Sequence, residues 1–236
     1  MQTRPVSTFS QSQPYWPAPQ SFNPAPDLRL HLVREMATAR PQLESAIAQR
    51  FAREFAANIH SFMPALISLQ TAAGPVAVAG CRRAAEQRLF LESYLDQPIE
   101  QALSAATGLA ITRPGIVEIG NLASLRAGSA RLLFALLAAL LSLVGEQWIV
   151  CTVTREVGLL LSRMGLVTHP LQAADRARLG RESAGWGAYF QHQPTVVYAG
   201  LGAARSALQR HRLSNLVPAF TEDLETAAAD WAPCHA

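Results

Sequence analysis

The residues best placed to do chemistry lie between Glu118 and Arg131, in the stretch VEIGNLASLRAGSAR. It reads as a strand, a glycine turn and the start of a helix. The first turn of a helix leaves backbone N–H groups without intrahelical partners, at the positive end of its dipole. Gly128 permits a close turn, Ser129 can cap, and Arg126 and Arg131 add fixed positive charge. With the small Ala127 and Ala130 between them, these residues form a candidate site for an anion such as the phosphates of a thioester cofactor. The other reading, an ordinary capped helix, stays open at this point. Glu118, on the preceding strand, is a candidate general base for an amine, directly or through water. Its alternative is a structural pair with an arginine such as Arg83. The backbone N–H groups of Asn121, Leu122 and Ala123 can polarise a carbonyl oxygen as an oxyanion hole does.

A second group, Glu92, Tyr94, Asp96 and Glu100, lies in LFLESYLDQPIEQALS. Tyr94 can act as a general acid or shape a pocket, with Glu92 and Asp96 beside it. Packing of the loop on the sheet is the competing role. Phe51, Phe55 and Phe62 recur on one side of a helix and either line an acyl tunnel or build core. Trp186 and Tyr189, in GWGAYF, cover either a late strand edge or the acceptor site.

Other chemistries lack their residues. There is no GxSxG elbow and no HExxH pair. Cys81, Cys151 and Cys234 form no CxxC, the six histidines are dispersed, and no metal site is expected. Cys151, inside an apolar run, reads as an inert buried thiol. All 20 basic residues are arginine, and they are scattered rather than gathered into the stripe a nucleic-acid binder needs. The apolar run Leu132–Leu141 has ten residues, half of the ~20 that cross a bilayer, so it is expected as a buried helix and not a transmembrane segment.

These residues have to be positioned by an interleaved series of elements. Proline, serine and glutamine dominate residues 1–27, expected as a flexible extension. A helix is expected over RPQLESAIAQRFAREFAANIHSFMP, with Pro41 in its first turn, an apolar stripe from Leu43 to Ile59, and Pro64 ending it. Two strands joined by an Ala-Ala-Gly-Pro turn follow, then a loop and a short helix from Pro98. The strand at Glu118 and the apolar helix ending at Gly145 come next. QWIVCTVT reads as a central strand, Thr154 as the cap of the next helix, and TVVYAGL as a late strand followed by a helix from about Ala203. The class is α/β (α+β), a mixed sheet flanked by helices. The body spans 28–218, with a C-terminal helix and tail over 219–236.

This order resembles the GNAT acyltransferase superfamily. More closely, LFLESYLDQPIEQALS, IVEIGNLAS, TREVGLLLSRMGL and WGAYF resemble the thermostable hemolysin family across about 40–202. A looser similarity runs to acyl-homoserine-lactone synthases. The resemblance implies a mostly antiparallel sheet whose central strands splay, with the pyrophosphate of acyl-CoA or the arm of acyl-phosphopantetheine at the turn. It implies no permanently bound cofactor, a CoA or acyl-carrier-protein thioester as co-substrate, and a small amine acceptor. Arg83 or Arg82 in GCRR matches the synthases' arginine, and Glu118 their strand glutamate. Asn121 stands where they carry arginine, and Leu125 replaces the first residue of the GNAT phosphate pattern. The expected activity is acyl transfer in the cytoplasm. A membrane-active protein and a non-catalytic thioester-binding module are the alternatives. The sequence does not fix an oligomeric state.

Overall fold

The computed structural model describes residues 24–210 and 212–231. Most of the expected N-terminal extension, with His211, Cys234 and His235, lies outside those residues. Among the described residues, seven strands form one sheet in the order β1-β2-β3-β4-β5-β7-β6. They are β1 (Arg29–Val33), β2 (Ala65–Thr71), β3 (Gly74–Arg83), β4 (Ile116–Ser124), β5 (Trp148–Val153), β6 (His169–Ala173) and β7 (Thr195–Gly200). Every neighbouring pair is antiparallel except β4 and β5. The helices are α1 (Arg40–Phe55), α2 (Ile99–Thr107), α3 (Ser129–Leu143), α4 (Arg155–Arg163), α5 (Leu201–Gln209) and α6 (Thr221–Trp231).

Beta-4 and β5 run parallel. Their parallel ladder runs only from Ile116↔Trp148 to Ile119↔Cys151. Beyond it, β4 stays with β3 through Val78↔Ala123 and Ala77↔Ser124, while β5 stays with β7 through Val153↔Thr195. The two strands therefore part. A bulge opposite Val78 to Gly80 helps β4 turn away, with Asn121 at φ 48° in the left-handed region that Asn tolerates better than most residues.

The apolar helix is buried, as its length predicted. Ten of its residues, including Leu132, Leu133, Leu136, Leu137, Leu140 and Leu141, are shielded. Alpha-3 packs against the sheet, α5, α6 and the 3-10 segment Arg212–Phe220. No helix of the described residues is long and apolar enough to cross a membrane. Alpha-6 also closes the β1 edge: Asp223 accepts the Leu30 N–H at 2.8 Å. Glu146 accepts the Trp231 indole N–H at 3.0 Å and Arg83 Nε at 2.9 Å.

The hairpin turn, the helix after Pro98 and the Thr154 cap lie where the sequence put them. The first helix does not reach Pro64. It ends at Phe55, with Ala56 left-handed at φ 50°. A distant segment takes over its end: Ala188 N–H donates to Phe55 O at 2.7 Å, and Asn58 N–H to Gly185 O at 2.7 Å. Residues that continue an apolar period were thus drawn into tertiary hydrogen bonds. The short edge strands β1 and β6 were not anticipated.

Candidate active site

A cavity of about 980 Å³, counted with its open mouth, occupies the place where β4 and β5 part. It touches β4 from Glu118 to Leu122, β5 from Cys151 to Val153, and side chains of α1, α3 and α4. Aromatic side chains form one of its walls. Phe51 and Phe55 of α1 meet Trp186 and Tyr189 of the GWGAYF segment, with ring centres 6.3 Å apart for Phe51–Trp186 and 5.2 Å for Phe55–Tyr189. Phe90 closes on Trp186 at 5.6 Å.

Among the described residues Glu118 is the one carboxylate on the cavity lining, with only 2% of its surface exposed. Its two oxygens accept N–H groups from the 3-10 turn Phe90–Ser93: Phe90 N at 2.7 Å and Leu91 N at 2.9 Å. Burial pushes its carboxyl up to about 7, against the pull of those N–H groups and the charge of Arg82. Tyr94 stands on the same lining, 1% exposed. Burial, reinforced by the Glu118 charge, holds its phenol well above the ordinary range and therefore protonated.

Glu92 does not line the cavity; it anchors the turn that grips Glu118. Its carboxylate accepts Leu89 N at 2.7 Å, Ile99 N at 2.9 Å and two Arg113 nitrogens at 2.7 and 3.1 Å. Burial alone would raise its pKa, but Arg113 and these N–H groups hold it below the usual carboxylate value. Arg113 also reaches Glu100 at 2.7 Å and Ala84 O at 2.9 Å. Asp96, largely exposed, pairs with Arg178.

Of the two candidate arginines, the structure brings Arg82 to the cavity and sends Arg83 elsewhere. Arg82 lies directly opposite Glu118 in the β3–β4 register, whereas Arg83 is opposite Val117. Opposed residues of an antiparallel pair share a face of the sheet. Arg83 pairs with Glu146 and Glu86 at 2.9 and 3.2 Å. The Arg82 Nε is buried with no hydrogen-bond partner among the described residues, as is the Thr152 hydroxyl on the same lining.

Asn121 and Leu122 line the cavity, Ala123 is fully buried behind it, and Phe55 forms part of the wall. The Asn121 side-chain oxygen accepts Met63 N–H at 2.8 Å, so that oxygen holds the chain before β2. At the turn, Gly128, at φ 81°, occupies the cap position of α3. The Ser129 side chain does not cap the helix. Its hydroxyl is fully buried, within donating distance of Arg126 O at 2.7 Å and Val76 O at 3.0 Å, and it meets the Ser124 hydroxyl at 3.0 Å. This ties the turn to β3. Arg126 and Ala127 are exposed, while Ala130 is buried and Arg131 half-buried. Beta-4 and α3 flank the cavity through Leu122 and Phe134, and residues 125–128 join the two elements.

The sequence underweighted Trp186 and Tyr189, and it did not single out Met63, Phe90 or Thr152. Register was the available signal for Arg82. Two glycines around a tryptophan were the signal for the aromatic wall. Cys151, on the lining, has its thiol pushed up to about 12 by burial and stays protonated.

Known structures share this architecture. The acyl-homoserine-lactone synthase LasI superposes with a TM-score of 0.55 at 14% identity, covering 78% of this chain and 95% of its own. BjaI, a CoA-dependent acyl-homoserine lactone synthase solved with SAM and isopentyl-CoA, gives 0.56 at 12% identity, covering 86% of this chain and 99% of its own. FeeM, an N-acyl amino acid synthase from uncultured soil microbes, gives 0.52 at 11% identity over 80% and 97%. At such identities the likeness is one of fold, and that fold is GNAT-like. No curated protein sequence matches the chain. The sequence signature of the thermostable hemolysin family covers residues 33–205, from the end of β1 into α5, and the chain belongs to that family.

Proposed function

We propose that this protein is an N-acyltransferase, moving an acyl group from a CoA or acyl-carrier-protein thioester to a small amine. The observation that carries the reading is Glu118: a buried carboxyl with a pKa near 7, on an aromatic cavity at the parting of β4 and β5. A general base works best with a pKa close to the operating pH.

In this scheme the thioester lies in the gap, its carbonyl polarised by backbone N–H groups of Asn121–Ala123 on the strand edge that β5 has left. The amine attacks the carbonyl carbon, and Glu118 takes its proton. Collapse of the tetrahedral adduct breaks the carbon–sulfur bond, and Tyr94 protonates the departing thiolate. Products are an amide and a free thiol. Arg82, with its buried unpartnered Nε, holds an acidic group of the acceptor, and Thr152 offers a hydroxyl to a polar group of the thioester arm. Arg126 and Arg131, with the start of α3, receive its phosphates. Glu92, Asp96 and Arg83 act from outside the cavity, through the loop and strand they hold.

The test mixes purified protein with acyl-CoA and acyl-carrier-protein thioesters and a panel of amines, amino acids included. Thiol release and a product mass raised by the acyl group support the reading. Tight thioester binding without transfer reduces the protein to a binding module, and no binding across the panel removes the proposal. Arg126→Glu should weaken acyl-CoA binding by about tenfold, the scale of a charge lost at a helix N-terminus, with turnover at saturation retained. Equal affinity for wild type and variant would move the phosphates away from this turn.

A further inference from the structure

We infer that Met63 sets the length of the acyl chain that the cavity accepts; the inference rests on the acyl-transfer reading. Gly80 and Gly120 face each other across the β3–β4 ladder, and two opposed glycines leave a notch in the sheet. Met63 fills it. A Cβ on Gly80 would lie 2.8 Å from Met63 Cβ, and one on Gly120 only 2.5 Å from Met63 Cε. The side chain therefore runs along the notch and ends over Gly120, the first residue beyond the last β4–β5 pair, where a thioester entering the gap turns toward the apolar interior.

The Met63 backbone is pinned on both sides. Its N–H donates to Asn121 Oδ1 at 2.8 Å, and its carbonyl accepts Arg40 Nη2 at 2.8 Å, while Arg40 Nη1 holds Pro64 O at 2.9 Å. A fixed backbone carrying an unbranched side chain with three rotatable bonds is suited to bounding a channel. Met63 lines the cavity and is 6% exposed, with Phe62 and Leu122 also on the lining. The occupant of such a channel is a straight aliphatic chain. Removing the three heavy atoms beyond Cβ frees room for about three methylene groups, provided the site does not collapse.

The experiment measures affinity and, with the amine panel present, thiol release for straight-chain acyl-CoAs from acetyl- to palmitoyl-CoA and the matching acyl-carrier-protein thioesters, with wild type, Met63→Ala and the volume-conserving Met63→Leu. Met63→Ala should shift the preferred chain longer by about three methylenes, and Met63→Leu by less. Gly120→Ala should shift it shorter, because the new Cβ drives the thioether into the channel; combining it with Met63→Ala should cancel that effect. Wild type and Met63→Ala showing the same rank order of chain lengths would overturn the inference while leaving acyl transfer standing. A shifted affinity profile without thiol release would keep the Met63 assignment and remove acyl transfer. Wild type binding neither the acyl-CoAs nor the matching acyl-carrier-protein thioesters would overturn both.

Discussion

Glu118→Gln should lower turnover by about 10²–10⁴-fold, the range supplied by a positioned general base, while leaving acyl-CoA affinity within a few fold. The amide keeps the shape of the carboxyl but cannot take the amine's proton, and one of its ends presents N–H to a backbone N–H donor. Wild-type turnover should rise with pH through about 7 and level off above it, because only the ionised carboxyl accepts a proton. The same group makes folding pH-dependent. Its ordinary value is 4.5 and its folded value about 7, so the native state holds this proton more tightly. The contribution to stability is complete below 4.5 and is lost as pH rises through 7, a change of about 3 kcal/mol at roughly 1.4 kcal/mol per unit. Denaturant midpoints measured across this window should fall with pH in wild type and lose that slope in Glu118→Gln. A variant with wild-type turnover would transfer the base to another group.

The second large effect is expected at Gly187. At φ 52° and ψ −125° its backbone is in a region that side chains rarely enter. An added Cβ would lie 2.1 Å from Phe55 O and 2.6 Å from Ala56 O. The Phe55 carbonyl cannot yield easily, since it holds Ala188 N–H where α1 ends. Gly187→Ala should therefore cost about 3 kcal/mol or more, separate GWGAYF from α1, and take Trp186 and Tyr189 off the cavity wall. Thermal melting would show the loss, and acyl-CoA affinity should fall with it. Gly202→Ala is the matched control: in α5, with nothing within 4 Å of its added Cβ, it should be neutral or gain up to about 1 kcal/mol. Similar melting temperatures for the two variants would contradict the docking of this segment on α1.

Where neighbours in sequence decide a structure, the sequence was legible. The β2–β3 hairpin follows from its short turn, α2 from Pro98, and the start of α4 from Thr154, whose hydroxyl accepts Val157 N–H at 3.4 Å. Glu118 and Tyr94 could be singled out because a strand carboxylate and a loop phenol are chemically conspicuous. The rest depends on partners far away in the chain. Alpha-1 stops at Phe55 because residues 185–188 claim its end, a contact without a local signature. Beta-1 and β6 are five residues each at the sheet edges, and β6 contains Pro170, which weakens its strand signal. Choosing Arg82 over Arg83 required the β3–β4 register, since adjacent strand residues point to opposite faces. Met63 lies between a helix and a strand, and its place becomes visible only once Gly80 and Gly120 face each other.

If the parted strands receive a thioester, a bound analogue will lie between them. The most direct measurement is a crystal structure with a non-hydrolysable acyl-CoA in which a methylene replaces the thioester sulfur. The acyl carbonyl is expected between the ends of β4 and β5, within hydrogen-bonding reach of the Asn121–Ala123 backbone and beside Glu118, with the phosphates at Arg126–Arg131. An analogue seated elsewhere, with the gap closed by the protein's own side chains, would contradict it.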